Sequence, residues 1–285
     1  MNGLTGFSRI QKYVLVVTTG RSGSSFFTNM VNDNAENAFS EHEPNVISGD
    51  QSTIWYYEDN QAGLNEIVER KLARLKRGEQ VASLPVSDTL HGLIRKTPWK
   101  GRVPRVPVRE IYVEVDNGAL KSWGPAFVEA VPQVDIIHLT RDPMVQAKSA
   151  ENRGSYPNPD RPYFLWPTWE RNHLPLSADI TAKLSAFQLA LWYWIEMETR
   201  YAEFFASRTL LELDLEELND PVRVAQIFDQ LGIRHRPLDL GGGRNAGKRE
   251  SFVTEADCAE ARELIALLPA GTLDRISNTY GLKDL

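Results

Sequence analysis

The chain has 285 residues, 42% hydrophobic and 25% charged, a composition ordinary for a globular protein and long enough for one large α/β domain or two small ones. A formal charge of −6 argues against general nucleic-acid binding, which needs a net basic face, and a single cysteine, Cys258, excludes an internal disulfide framework and fits a reducing compartment. No stretch is apolar for long enough to span a bilayer, and the start, Met1 to Gly6, lacks the charged and apolar regions of a secretion signal, so a cytoplasmic location is expected.

In chain order, Val14-Leu15-Val16-Val17 is a short continuous apolar run, as expected of a strand buried on both faces. Directly after it come Thr18-Thr19-Gly20-Arg21-Ser22-Gly23-Ser24-Ser25, and apolar residues then recur at Phe26, Phe27, Met30 and Val31, which predicts a helix. A strand, a short loop with two glycines and a helix start make an anion site, because the backbone can turn its N–H groups outward and the helix N-terminus adds partial positive charge. The loop is not a standard ATP or GTP loop. Of the template G-x-x-x-x-G-K-[ST] only Gly23 and Ser25 fit; the lysine is missing and Arg21 supplies a cation inside the loop.

Past this helix, Phe39-Ser40-Glu41-His42-Glu43-Pro44-Asn45 reads as an acidic turn holding three candidate bases. Residues 61–77 have the period of an amphipathic helix. Residues 83–109, with four prolines, read as a loop, and its basic stretch from Arg95 to Arg109 reads first as solvated, though it could close over an anionic cofactor or attract an acidic acceptor. Strands are predicted at 111–115, 134–139 and 209–213. Glu114, Asn117 and Lys121 follow or end the first of these and are candidates for the acceptor side. His138, inside an apolar strand, reads as a core residue.

The second informative stretch is Leu139-Thr140-Arg141-Asp142-Pro143. Asp142 before Pro143 reads as an N-cap with a first-turn proline, which puts Arg141 at the carboxyl edge of the sheet. Ser149 lies two turns into that helix, where its hydroxyl leans back toward Arg141, so the pair could hold one phosphate. Residues 154–175 form a second proline-rich loop, and Tyr163, Phe164, Trp166 and Trp169 could line an acceptor pocket. A long helix rich in aromatics spans 178–206, with Trp192, Tyr193 and Trp194. Another starts at Asp220-Pro221 and ends at Gly232. The run 241–249 is a glycine-rich basic loop. Alternating strands and helices predict an α/β fold: a mostly parallel central sheet flanked by helices, in a three-layer architecture like that of P-loop nucleoside triphosphatases, as a single domain over 1–285 with acceptor-side loops at 83–109 and 154–175.

Together the two motifs resemble the PAPS-dependent sulfotransferase family, which transfers the sulfuryl group of 3'-phosphoadenosine 5'-phosphosulfate (PAPS). Thr19-Gly20-Arg21-Ser22-Gly23-Ser24-Ser25 matches its 5'-phosphosulfate loop, and Arg141 with Ser149 eight residues on matches its 3'-phosphate site. An Arg at position 21 is more like the bacterial and Golgi-type branches than the cytosolic small-molecule members. The run 241–249 departs from the family's Arg-Lys-Gly order. The resemblance implies a transferase binding PAPS and releasing 3'-phosphoadenosine 5'-phosphate. The acceptor would be a small molecule or carbohydrate offering a hydroxyl or amine. It further implies that Arg21 stabilises the leaving phosphate and that Glu43, Glu41 or His42 acts as base, Glu43 matching best. No metal is expected, since no ligand cluster with convincing spacing is present. Two competing readings are a small-molecule P-loop kinase, which would need the missing lysine, and a noncatalytic nucleotide-binding protein on the same fold.

Overall fold

The computed structural model describes residues 10–43, 110–154, 165–240 and 252–285, together with position 69. Apart from that position, the helix expected over 61–77 lies outside the described residues. So do the basic stretch 95–109, Tyr163, Phe164 and the glycine-rich run 241–249.

The described elements run β1 (Lys12–Thr18), α1 (Ser24–Asn34), β2 (Ala38–His42), β3 (Ile111–Asp116), a wide π turn (Ala119–Trp123), α2 (Gly124–Ala130), β4 (Asp135–Thr140) and α3 (Pro143–Asn152). They continue with α4 (Ala178–Thr181), α5 (Ala186–Phe204), β5 (Thr209–Asp214), α6 (Pro221–Leu231) and α7 (Glu255–Leu267). All strand pairs are parallel, in the order β2-β3-β1-β4-β5. The central strand β1 is buried from Tyr13 to Thr18, which is why it reads as an unbroken apolar run.

Two apolar layers enclose this sheet. On one face Val14, Val16, Val113 and Ile137 pack with Phe27 and Val31 of α1 and with Val224, Ile227 and Phe228 of α6. On the other, Tyr13, Leu15, Val17 and Ile136 pack with Phe127 of α2, Ala147 of α3, α5 from Phe187 to Tyr201, and Leu264 of α7. The result is the α/β three-layer architecture that the alternating pattern predicts. Trp192 and Trp194 are fully buried and Tyr193 nearly so, so these aromatics are core. His138 is buried too, with Nε2 3.1 Å from Glu198 Oε1 and its ring stacked on Tyr201. No described helix is long and apolar enough to cross a membrane.

The structure differs from the sequence expectations at three places. Residues 38–42 form an edge strand rather than an acidic turn, and Glu41 is buried there because the Tyr112 hydroxyl donates to its Oε2 at 2.7 Å. The helix read over 178–206 is broken after α4. Ser185 starts α5 with a capping box, its hydroxyl accepting from Gln188 N–H while the Gln188 side chain accepts from Ser185 N–H. The π turn between β3 and α2 has no signal in an apolar pattern. Asp142, Asp220 and Gly232 do cap α3 and α6 as their residue types predict.

The π turn is held from outside by a buried ion pair. In a regular helix the Lys121 carbonyl would accept from residue 125, but that residue is Pro125, which has no N–H. Arg200 of α5 fills the gap, donating from Nη1 to Lys121 O at 3.0 Å and from Nε to Glu196 Oε1 at 2.7 Å. Glu196 also accepts from the N–H groups of His173 and Leu174, at 3.0 and 2.9 Å. Arg200→Met would leave the buried Glu196 carboxylate with only the partly exposed His173 ring, 3.4 Å away, and two backbone N–H groups. We expect it to cost about 3–5 kcal/mol in urea denaturation, as breaking a buried pair does. A loss under about 1 kcal/mol would mean that the pair contributes no more than an exposed one.

Candidate functional site

Strand β1 sits between β3 and β4, so the chain leaves the sheet in opposite directions on its two sides and opens a crevice at the carboxyl edge. Residues 19–23 lie there, between β1 and α1. To reverse the chain in so few residues the loop uses left-handed backbone at Gly20 (φ 77°), Arg21 (φ 59°) and Gly23 (φ 81°). Such successive turns aim backbone N–H groups into one concavity, and the start of α1 adds its own orphan N–H groups. A Cβ on Gly23 would also lie 2.1 Å from Leu215 Cδ1, so that side chain would have to shift to admit one.

The hydroxyls of Thr19 and Ser22 are buried and turned inward, 2.8 Å apart, and Ser22 donates to Gly20 O at 3.2 Å. Gln146 of α3 closes the loop, donating from Nε2 to Gly20 O at 2.7 Å and accepting from Thr19 Oγ1 at 3.3 Å. Sequence reasoning missed Gln146. It stands three residues before Ser149 on one helix face, with Arg153 four further on, and that polar stripe was the available signal.

Arg21 Nη2 donates to Ser149 Oγ at 3.3 Å, so the two motifs meet in space. Arg141 belongs to the same group. Burial, reinforced by Arg153 and Arg141, pulls the Arg21 guanidinium down to about 10, and only Glu43 pulls it the other way. Nε of Arg21 and Nε of Arg141 are buried without a hydrogen-bond partner among the described residues. Crowded, partly desolvated guanidiniums with unmet donors fit an anion.

The three candidate bases divide between two places, Glu41 on one side and His42 with Glu43 on the other, His42 Nε2 lying 3.8 Å from Glu43 Oε1. Glu41 faces the α2 side and is engaged by Tyr112. His42 faces α1, with Nε2 2.8 Å from Ser24 Oγ and 3.4 Å from Ser25 Oγ. Glu43 lies just past β2 in left-handed backbone (φ 47°) and is exposed, its Oε1 accepting from Asn117 Nδ2 at 2.7 Å. Lys121 Nζ donates to Asn117 Oδ1 at 2.8 Å. Thr19, Gly20, Arg21, Ser22, Gly23, Ser24, Ser25, Arg141 and Ser149 therefore gather at one sheet edge with His42 and Glu43, while Glu41 is turned into the core. Among the described residues no group of three or more His, Cys, Asp or Glu is arranged to hold a metal ion.

No family model matches this chain, and no curated protein does. Solved structures similar to it include the sulfotransferase domain from the curacin biosynthetic pathway, at 13% identity over 94% of this chain and 97% of that one, with a TM-score of 0.44. Another is the sulfotransferase domain from the Synechococcus PCC 7002 olefin synthase, at 12% identity over 90% and 96% of the two chains, TM-score 0.42. A third is a sulfotransferase from Alicyclobacillus acidocaldarius, at 15% identity over 91% and 96%, TM-score 0.40.

Gly23→Ala tests how tightly the loop is built. Gly232→Ala is its control, since Gly232 has φ 73° but nothing within 4 Å of the place its added methyl would take. The control should lose about 1 kcal/mol of stability from backbone strain alone. Gly23→Ala should lose more, through the added clash with Leu215, and equal losses in thermal denaturation would contradict this packing.

Proposed function

We propose that the chain transfers the sulfuryl group of 3'-phosphoadenosine 5'-phosphosulfate to a hydroxyl or amine of a small-molecule or carbohydrate acceptor. The observation that carries this reading is the joining of two cationic centres, the loop with Arg21 and the Arg141–Ser149 pair, at one sheet edge with unmet guanidinium donors. A nucleotide with phosphates on both its 5' and 3' positions would supply both anions. The absence of a loop lysine counts against a Mg-nucleoside triphosphate and so against the kinase reading.

When bound, the donor supplies a sulfuryl group activated by its link to the 5'-phosphate. The loop N–H groups and Arg21 hold the 5'-phosphate oxygens and stabilise the charge that grows on them as the sulfuryl group leaves. Arg141 and Ser149 hold the 3'-phosphate. Glu43 takes the proton from the acceptor. His42 orients the Ser24 and Ser25 hydroxyls at the helix start. Glu41, engaged by Tyr112 on the other side of the sheet, is the weakest of the three candidates for the base. Sulfuryl transfer needs alignment and charge stabilisation more than covalent help, and these residues provide both.

Thermal denaturation with added 3'-phosphoadenosine 5'-phosphate checks the donor class. A ligand at 100 times its Kd stabilises the native state by about 2.7 kcal/mol. The melting temperature should rise with the bisphosphate, and much less with 5'-AMP. Arg141→Ala should abolish the rise. So should Arg21→Gly, which keeps the left-handed turn and removes the cation. A rise with Mg-ATP and none with the bisphosphate would overturn the proposal in favour of a kinase.

A further inference from the structure

Behind Glu43 lies a chain of side chains that the reaction as described does not use. Glu43 Oε1 accepts from Asn117 Nδ2 at 2.7 Å, and Asn117 Oδ1 accepts from Lys121 Nζ at 2.8 Å. The carbonyl of Lys121 is in turn fixed by Arg200 at 3.0 Å, and Arg200 by Glu196. An unbroken path thus runs from the buried ion pair of α5, through the π turn, to the exposed carboxylate.

Lys121 is only 3% exposed. Burying an ammonium opposes folding unless it is well paired, so a lysine used only for packing would be out of place here. Burial pulls this amine down to about 8, while Glu43 and then Asp116 pull it back up. The titratable and charged groups facing it are Glu43 past β2, Asp116 at the end of β3, and Tyr193 of α5, whose ring centroid lies 5.7 Å from Nζ; Arg200 of α5 is held at its carbonyl. A π turn inside a helical segment is itself a frequent companion of functional sites.

We infer that Asn117 and Lys121 are positioning residues for Glu43: the amide fixes one carboxylate oxygen, leaving the other to meet the acceptor, and the ammonium fixes the amide. Asn117 has one orientation that satisfies both neighbours, with Nδ2 toward Glu43 and Oδ1 toward Lys121. The Lys121 charge therefore selects the rotamer that restrains the base. This inference rests on the reading of Glu43 as base.

The test has one arm that needs no turnover and one that does. In protein labelled with 15N-lysine, the Lys121 Nζ resonance, assigned by its loss in Lys121→Met, should titrate near pH 8. In Glu43→Gln it should titrate lower, because the carboxylate that raises it is gone. In the second arm, water serves as acceptor for 35S-labelled donor. The sulfur–oxygen bond to the 5'-phosphate breaks, a bond to water oxygen forms, the proton passes to Glu43, and sulfate and the bisphosphate are released. Asn117→Ala and Lys121→Met should slow sulfate release by up to about 100-fold, as a small misplacement of a reacting group does. The bisphosphate should still stabilise both variants as it does wild type, and Lys121→Arg should recover part of the rate. An unmoved Lys121 titration in Glu43→Gln, or full-rate sulfate release from Asn117→Ala, would overturn the inference while leaving the donor class intact. Failure of the bisphosphate to stabilise wild type would instead sink the transferase reading, and it shows before any variant is made.

Discussion

The reversal between β1 and α1 constrains everything around it. A strand at the centre of the sheet must hand over to a helix within the five residues Thr19 to Gly23, and ordinary right-handed backbone cannot turn that sharply. The solution places Gly20, Arg21 and Gly23 in left-handed conformations, and the surrounding structure holds them there. Gln146 of α3 anchors the Gly20 carbonyl, Leu215 beyond β5 fills the space beside Gly23, and His42 at the end of β2 meets the first hydroxyls of α1. Elements from both halves of the sheet thus fasten one loop. A left-handed arginine costs about 1–3 kcal/mol, and such strain persists only where the rest of the fold over-determines it.

Two arginine environments, one buried and one half-buried, differ in how their charge is met. Arg200 is fully enclosed and engaged at all three nitrogens: Nε donates to Glu196, and Nη1 and Nη2 each donate to a backbone carbonyl. Arg21 and Arg141 are crowded together, with Arg153 adding to the repulsion on Arg21 and with unmet Nε donors. The fold, rather than local pairing, keeps these cations in place, so the anion proposed for this loop would gain their field without paying for their assembly. Glu43 is exposed yet tied through Asn117 and Lys121 to the Arg200 pair. The buried arginine and the exposed carboxylate are therefore ends of one network.

Much of this was legible in the residues. The apolar run of β1, the loop glycines, and Asp142 before Pro143 each specify local geometry strongly, and their consequences appear where expected. What escaped depends on tertiary partners. Strand β2 reads as a polar turn because its buried Glu41 is satisfied by Tyr112, a residue 71 positions away. The π turn follows from Pro125 and from Arg200, which are far apart in sequence, and the break before α5 rests on a serine cap that an aromatic-rich pattern hides. Gln146 escaped because a glutamine in mid-helix carries no signal until the loop it closes is known. The separation of Glu41 from His42 and Glu43 needed the pleat, which sends neighbouring side chains to opposite faces of the sheet.

The most direct test of the central claim is a crystal structure of the protein with 3'-phosphoadenosine 5'-phosphate. Density for the 5'-phosphate against the N–H groups of residues 20–25 and Arg21, with the 3'-phosphate on Arg141 and Ser149, is the predicted result. A bisphosphate bound away from this edge, or one whose 3'-phosphate leaves Arg141 untouched, would contradict the account.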